Sequence, residues 1–209
     1  MNYIENIYIC LAAPLLLAIL CLRKGWRRAL LFFFAGMTAC LFSAYITSFA
    51  GSIMGAVPAD SSYEIAPAVE EIMKFLPLMF YILVFEAEKK QVVSGAVMVA
   101  VGFATFENIC FFTTQDNSRL LQLLIRGFGT GAMHVVCGVV VAVGLFFLWD
   151  QVWLRMVGAF ALLCTVATFH AIFNILVIQP GAIAIVGSMI PTVMLLAFRI
   201  FLYKKIDFS

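Results

Sequence analysis

Charged and polar side chains interrupt four segments of the sequence that are otherwise strongly apolar. The segments read VEEIMKF, GFATFENICFF, RGFGTGAMHVV and FHAIFNIL, and their polar residues are Glu70, Glu71, Lys74, Glu107, Asn108, Arg126, His134, His170 and Asn174. An ionisable group at the centre of a membrane helix costs roughly 2.5 to 3.5 kcal/mol on insertion scales, so it normally faces the protein interior and serves a function. A buried polar clasp that only joins helices is the alternative.

Helical spacing groups these residues by face. Glu70 and Lys74 are one turn apart and share a face. His170 and Asn174 form a second pair of the same kind. Glu71 is turned by about 100° from Glu70, so one carboxylate can meet a site while the other anchors a neighbouring helix.

This set of side chains suits hydrolysis of an amide bond inside the membrane. A buried glutamate whose charge is balanced between a second carboxylate and Lys74 can act as a general base toward water. His170 and Asn174 can donate hydrogen bonds to the oxyanion, and His134 can hold the water or carry its proton.

The composition places these residues in a membrane protein. Of the 209 residues, 65% are hydrophobic and 11% are charged, and the mean hydropathy is +1.09, outside the range of soluble domains. The net charge of +2 is small and scattered, so nothing indicates a nucleic-acid partner. The six cysteines lie in apolar segments without CxxC spacing, which argues against a disulfide framework and a structural zinc site.

Seven apolar runs are long enough to cross a bilayer, which takes roughly 20 residues per helix. They cover about residues 3–22, 29–50, 65–86, 91–112, 124–148, 155–178 and 182–203. We therefore predict an all-α membrane protein with a single polytopic domain over residues 1–209. Its motif core lies on the helices between about residues 65 and 178.

Basic residues near the ends of the runs set the orientation, because they favour the cytoplasmic side. They are Arg23, Lys24, Arg27, Arg28, Lys89, Lys90, Arg155, Arg199, Lys204 and Lys205. This pattern predicts an external N-terminus and a cytoplasmic C-terminus. The polar residues then lie in the outer half of the membrane, roughly 5 to 15 Å below the external surface. Such convergence favours one site over separate clasps.

At these residues the chain resembles the PrsW-type glutamic intramembrane proteases. That family belongs to a larger group with the CAAX prenyl endopeptidases and the Aph subunit of γ-secretase. EEIMK matches the family's EExxK, GFATFENICFF its FEN motif, RGFGTGAMH its Arg-to-His segment, and HAIFN its final His motif. The order and spacing are kept. Phe111 and Phe112 stand where a Tyr is expected, and Asn174 stands where PrsW-like sequences often carry Asp, as in the CAAX branch.

The resemblance implies an intramembrane endopeptidase that uses glutamate-activated water and needs no cofactor. It implies that Glu70 is the general base with His134 on the water, and that His170 and Asn174 stabilise the oxyanion. Glu71 completes the catalytic set. The expected supporting residues are Lys74, Glu107, Asn108 and Arg126.

The resemblance also implies a biological setting. The substrate would be a membrane-anchored protein or peptide, such as an anti-sigma factor cleaved near the external face in regulatory proteolysis. The enzyme would then be a multi-pass protein of a bacterial cytoplasmic membrane, with the lipid bilayer and the substrate as partners and no nucleic acid.

Other mechanisms use some of the same residues. Glu70 or Glu107 with His134 and His170 gives a zinc set of two histidines and one carboxylate. Cys137 lies three residues after His134, but a buried apolar thiol is normally inert.

Two non-proteolytic classes also remain open. A non-catalytic Aph-like scaffold would keep the architecture, but it need not keep Glu70 and Glu71 together with both histidines. An ion or proton transporter also places carboxylates and histidines at membrane depth. Transport requires a route to both faces, however, and here the polar residues cluster near one.

Overall fold

Seven long α-helices make up most of the described part of the protein. The structure is a computed structural model that describes residues 4–55, 61, 63–85, 88–114, 120–148 and 152–205. In chain order the helices are α1 (Ile4–Cys21), α2 (Lys24–Met54), α3 (Ala66–Phe85), α4 (Lys89–Thr114), α5 (Leu120–Leu148), α6 (Val152–Val177) and α7 (Ala182–Lys205). The prediction of seven helices in an all-α bundle is confirmed.

The helix ends differ from the predicted runs by a few residues. The largest difference is at α2, which begins at Lys24, five residues before the predicted apolar run. Long basic side chains can extend toward water while their backbone continues a membrane helix, so Arg27 and Arg28 belong to its first two turns. Residues 3 and 86, at the ends of two predicted runs, lie outside the described residues.

Six of these helices are long and apolar enough to cross a membrane by length and composition. The exception, α3, has 20 residues, which is long enough to span, but it carries three ionisable residues. Large apolar side chains such as Leu20, Phe147 and Met156 lie exposed on the outside, as expected of a lipid-facing surface. The chain is therefore a helical membrane bundle, while its orientation stays a prediction from the basic residues.

Close packing against α2 fixes the position of α4, the helix that carries Glu107. A Cβ atom at Gly36 would overlap the Val99 carbonyl, and one at Gly102 would overlap the Phe33 carbonyl. The two glycines, one on each helix, therefore allow the backbones of α2 and α4 to come into close contact, as small residues do in membrane helix pairs. α3 then packs against α2, α4 and α6, which places its charged turn inside the bundle.

Candidate active site

Seven of the nine predicted site residues join in one continuous series of polar contacts. The series crosses four helices: α3 supplies Glu70, Glu71 and Lys74, α4 supplies Glu107, α5 supplies Arg126 and His134, and α6 supplies His170. We call this set the polar network. It confirms that these residues converge in one place.

Lys74 lies at the centre of the polar network. Its Nζ donates to Glu71 Oε1 at 2.7 Å and to His134 Nδ1 at 2.7 Å, and it lies 5.0 Å from the centroid of the Phe103 ring. Only 5% of Lys74 and 3% of Glu71 is exposed. The ion pair of Lys74 is therefore with Glu71, three residues earlier, and its partner is not the Glu70 that helical spacing had placed on its face.

His134 is fully buried and has both ring nitrogens engaged. Because an ammonium group can only donate, Nδ1 accepts the bond from Lys74, and the ring proton lies on Nε2. Nε2 then donates to Glu107 Oε2 at 2.7 Å. The other oxygen of Glu107 accepts from Arg126 at 2.8 Å, and the guanidinium carbon lies 3.8 Å from the centroid of the Phe111 ring. His134 thus links two charged pairs.

Both neighbouring glutamates of α3 reach the same imidazole, from different edges. His170 Nδ1 donates to Glu71 Oε1 at 2.8 Å, and His170 Nε2 lies 3.7 Å from Glu70 Oε2. The second distance is too long for a direct hydrogen bond. Among the described residues, Glu70 Oε2 is buried and has no hydrogen-bond partner. One carboxylate therefore holds His170, and the other keeps a free acceptor beside it.

A cavity of about 600 Å³ reaches the polar network from the side of α2. Glu70 and Glu107 line it, together with residues of α1, α2, α3 and α4 that include Ile4, Phe106 and Cys110. Glu70 is 15% exposed, so it lies at the border between the network and this space. The cavity is large enough to take a short peptide segment.

Two predicted site residues are not shown in the polar network. Asn108 follows Glu107 on α4 but lines a second cavity of about 300 Å³ between α4, α5 and α7. Its Oδ1 is buried without a partner in the described part of the chain. Asn174 is half-buried one turn after His170 on α6.

Cys137, the alternative nucleophile, is fully buried on α5. Its Sγ lies 3.8 Å from both the Met133 sulfur and the Val166 carbonyl oxygen. It also belongs to an apolar cluster with Val141 and Leu145. These surroundings are typical of a structural thiol.

Sequence reasoning missed the aromatic and hydroxyl residues around the network. Phe103 and Phe111 lie four residues before and after Glu107, so helical spacing alone would have placed them on its face. They contact Lys74 and Arg126, respectively. Serines and a threonine of α2 also line the large cavity. Their spacing along the helix was the sequence pattern that could have identified them.

Comparison with known proteins identifies the family. The family model described as PrsW family intramembrane metalloprotease matches residues 24–202, which include the whole polar network and every cavity-lining residue except Ile4. The chain belongs to this family. Neither a curated protein nor a solved structure matches it. Membership of the PrsW family, predicted from the four motifs, is thereby confirmed, whereas the glutamic catalytic type stays a prediction. This PrsW-family chain is a multi-pass intramembrane protease that acts on a membrane-embedded substrate.

The family description raises the question of a metal, and the donor atoms give a test. Glu70, His134 and His170 each offer a ligand atom, and these atoms lie within 4.8 Å of one another. Two histidines and one carboxylate are a common catalytic zinc set. Glu71 also holds Nδ1 of His170, as carboxylates do behind zinc-bound histidines.

His134 does not meet the requirement for a ligand in this arrangement. A neutral imidazole that binds a metal through Nε2 carries its proton on Nδ1. In the PrsW-family chain, Nδ1 of His134 lies 2.7 Å from the Lys74 ammonium. A proton on Nδ1 would point at this ammonium, which is also a donor and cannot accept it. Only Glu70 and His170 are left with free ligand atoms. In the described part of the chain, Glu70, His134 and His170 as arranged therefore do not together fit a zinc site with three protein ligands.

Proposed function

We propose that this PrsW-family protein is a glutamic intramembrane endopeptidase in which Glu70 activates water without a metal. The observation that carries the proposal is the unequal use of the glutamates. Glu71 Oε1 accepts two hydrogen bonds, and each oxygen of Glu107 accepts one. Glu70 Oε2, in contrast, has no hydrogen-bond partner among the described residues and belongs to a cavity-lining side chain.

In the proposed reaction, a water beside Glu70 Oε2 loses a proton to that oxygen. The resulting hydroxide attacks the carbonyl carbon of a peptide bond that enters from the cavity. Glu70 then passes the proton to the amide nitrogen as the carbon–nitrogen bond breaks. One carboxylate therefore acts first as a base and then as an acid.

The geometry supports an exchange of the roles first expected of the two histidines. Because His170 Nδ1 donates to Glu71, a neutral His170 presents the Nε2 lone pair toward Glu70 and can accept a hydrogen bond from the same water. His134 has no such free nitrogen, so it acts as a positioning residue. Asn174, one turn from His170, keeps its proposed role as an amide donor to the oxyanion.

The polar network supports this chemistry by fixing the reacting groups before substrate binds. Lys74 and His170 hold Glu71 from two sides, so the ring of His170 has one tautomer and one orientation. Such preorganised groups need little rearrangement in the transition state. We propose that Glu71 and Lys74 act on the reaction through His170 rather than on the substrate.

The proposed substrate is a membrane-anchored protein cleaved in the outer half of the bilayer, with an anti-sigma factor as the specific candidate. The basic residues at the helix ends support this depth. We propose the bacterial cytoplasmic membrane as the location, as the resemblance to PrsW-type proteases implies.

The decisive experiment compares cleavage by the wild type and by Glu70→Gln. Both proteins are reconstituted in lipid nanodiscs with a panel of single-span membrane peptides, and products are identified by mass spectrometry. We expect Glu70→Gln to insert and fold but to lose at least about 100-fold in rate, as for removal of a general base. Glu64→Gln, an exposed glutamate just before α3, is the matched control. Undiminished cleavage by Glu70→Gln would refute the assignment.

A metal-dependent protease is the second candidate, favoured by the clustering of Glu70, His134 and His170. Elemental analysis of the purified protein and a chelator titration separate the two mechanisms. Our proposal predicts no stoichiometric zinc and no loss of cleavage with chelator. Stoichiometric zinc together with chelator-sensitive cleavage would establish the second candidate instead.

A further inference from the structure

One face of α2 forms the wall of the large cavity across from Glu70 and Glu107. The α2 hydroxyl face consists of Ser43, Thr47, Ser48 and Ser52, all of which line that cavity. None of these hydroxyl groups belongs to the polar network, so the proposed chemistry leaves the face unused.

The residues of this face form two rows with small side chains between them. At about 100° per residue, Ser43 and Thr47 lie on one side, and Ser48 and Ser52 lie roughly 140° away. Ala44 and Gly51, which also line the cavity, fall between the two rows. The face is therefore a shallow groove with hydroxyl groups along both edges and Ala44 on its floor. At Gly51 the floor is covered by Ser61, whose Oγ would lie 2.8 Å from a Cβ atom there.

The serine hydroxyls of the groove can act only as acceptors toward a ligand. Ser43 donates to the Cys40 carbonyl at 2.8 Å, Ser48 to the Ala44 carbonyl at 2.8 Å, and Ser52 to the Phe49 carbonyl at 2.7 Å. Each serine has then used its one proton and keeps lone pairs.

Thr47 adds a second and independent observation. Its Oγ1 is buried and has no hydrogen-bond partner within the ranges that the structure describes. A buried hydroxyl without a partner costs free energy. The groove therefore borders an unsatisfied polar atom, which a ligand could satisfy if the Thr47 side chain turned toward the cavity.

Acceptors in this position match an unwound peptide. A transmembrane helix satisfies its own backbone N–H groups, whereas an extended segment exposes them, and each costs several kcal/mol in a membrane unless it finds an acceptor. From Ser43 to Ser52 the helix rises about 13 Å, which is the length of roughly four extended residues. A peptide bond must also leave the helix before Glu70 can reach it.

We propose that the α2 hydroxyl face binds the unwound segment of the substrate by accepting hydrogen bonds from its backbone N–H groups. The inference rests on the proposed function, because the same cavity leads to Glu70. It defines the substrate class as a membrane helix with a short, easily unwound stretch near the site. Recognition is through the backbone of that stretch.

Binding is tested in the Glu70→Gln background, so the measurement does not depend on cleavage. The probe is a fluorescent Leu/Ala transmembrane peptide of about 24 residues with a Gly-Ser-Gly-Gly break in the third nearest the external face. Two companion peptides carry either an unbroken Leu/Ala helix or N-methyl groups on the amides of the break. We expect the broken peptide to bind about tenfold more tightly than either companion in nanodiscs.

Substitutions on α2 then locate the effect. Thr47→Val and Ser48→Ala should each weaken binding of the broken peptide by about five- to tenfold and should reduce the effect of N-methylation. Thr165→Val is the matched control, since Thr165 is exposed on α6 and donates to the Ala161 carbonyl at 2.8 Å. Equal binding of the three peptides, or unchanged binding by both α2 variants, would overturn the proposal.

The outcome is separate from that of the proposed function. If peptide binding depends on the α2 hydroxyl face but the wild type cleaves nothing, the groove is retained and the protease mechanism is wrong. If Glu70→Gln abolishes cleavage while the α2 variants bind normally, the mechanism is retained and the groove assignment is wrong. In an active background, the same α2 variants should raise KM and leave kcat nearly unchanged.

Discussion

The two cations of the polar network form ion pairs of nearly equal length in different surroundings. Lys74 pairs with Glu71 at 2.7 Å, and Arg126 pairs with Glu107 at 2.8 Å. The first pair has side chains that are 6% and 3% exposed, whereas the second pair is about one-quarter exposed on each side. The two ion pairs therefore differ in burial and not in length.

Burial changes what each pair can do for the protein. When one partner of a buried ion pair is removed, an uncompensated charge stays in the interior, whereas water can in part replace the missing partner of a pair that is partly exposed. The Lys74 pair also holds His170 through Glu71, next to the proposed base. The Arg126 pair is linked to it through Glu107 and His134. We therefore expect the Lys74–Glu71 pair to contribute strongly to the free energy of unfolding. We expect the Arg126–Glu107 pair to have only a small effect on the active site.

The largest effect is expected for Lys74→Met. Loss of the ammonium leaves Glu71 charged and buried and removes the donor to His134 Nδ1, so the free energy of unfolding should fall by about 3 to 5 kcal/mol. Reversible unfolding in detergent micelles measures this change. Lys24→Met, at the exposed start of α2, is the control and should change stability little.

The double variant Lys74→Met/Glu71→Gln sharpens this test. Removing both charges should recover part of the lost stability, because no uncompensated charge then remains. Full additivity of the two single effects would mean that the ion pair contributes little. The expected difference in stability between the Lys74 pair and the Arg126 pair would then be wrong.

Sequence spacing could not choose between the two partners available to Lys74. Residues three and four positions away on a helix both face it, so Glu70 and Glu71 were nearly equivalent candidates. The choice depends on His170, which lies 99 residues from Glu71 in the chain and binds the same oxygen. Hydrophobic runs, in contrast, predicted the seven helices well because bilayer thickness limits their length.

An intermediate effect is expected for Glu71→Gln. The amide keeps one acceptor oxygen but loses the charge that faces Lys74 and His170, so we expect a loss of about 2 to 3 kcal/mol in unfolding free energy. Glu70→Gln should cost much less, because Oε2 of Glu70 has no hydrogen-bond partner among the described residues. Detergent unfolding of the two variants in parallel measures the difference. Equal loss of unfolding free energy in Glu71→Gln and Glu70→Gln would show that the two glutamates do not differ in how strongly their contacts stabilise the protein.

The groove on α2 shows a second limit of sequence reasoning. Serine and threonine are frequent in membrane helices, where their hydroxyl groups commonly bond to the preceding turn. Ser48 and Thr165 make the same bond and both are exposed, but Ser48 lines the cavity whereas Thr165 lies on the outside of α6. Only the packing of α2 against its neighbours separates a groove residue from a lipid-facing one.

The smallest effect is expected for Arg126→Met. Because Arg126 and Glu107 are each about one-quarter exposed, the pair should contribute no more than about 1 kcal/mol to stability, and Met keeps an apolar contact with Phe111. Cleavage should stay within about threefold of the wild type, since His134 still holds Glu107. Unfolding and cleavage are measured at low and high salt, because screening should weaken an exposed pair and leave the Lys74 pair nearly unchanged. Arg126→Lys is the control that keeps the charge but loses the planar fork. A loss of cleavage as large as that expected for Glu70→Gln would instead place Arg126 in the catalytic machinery, and burial would no longer separate the two ends of the network.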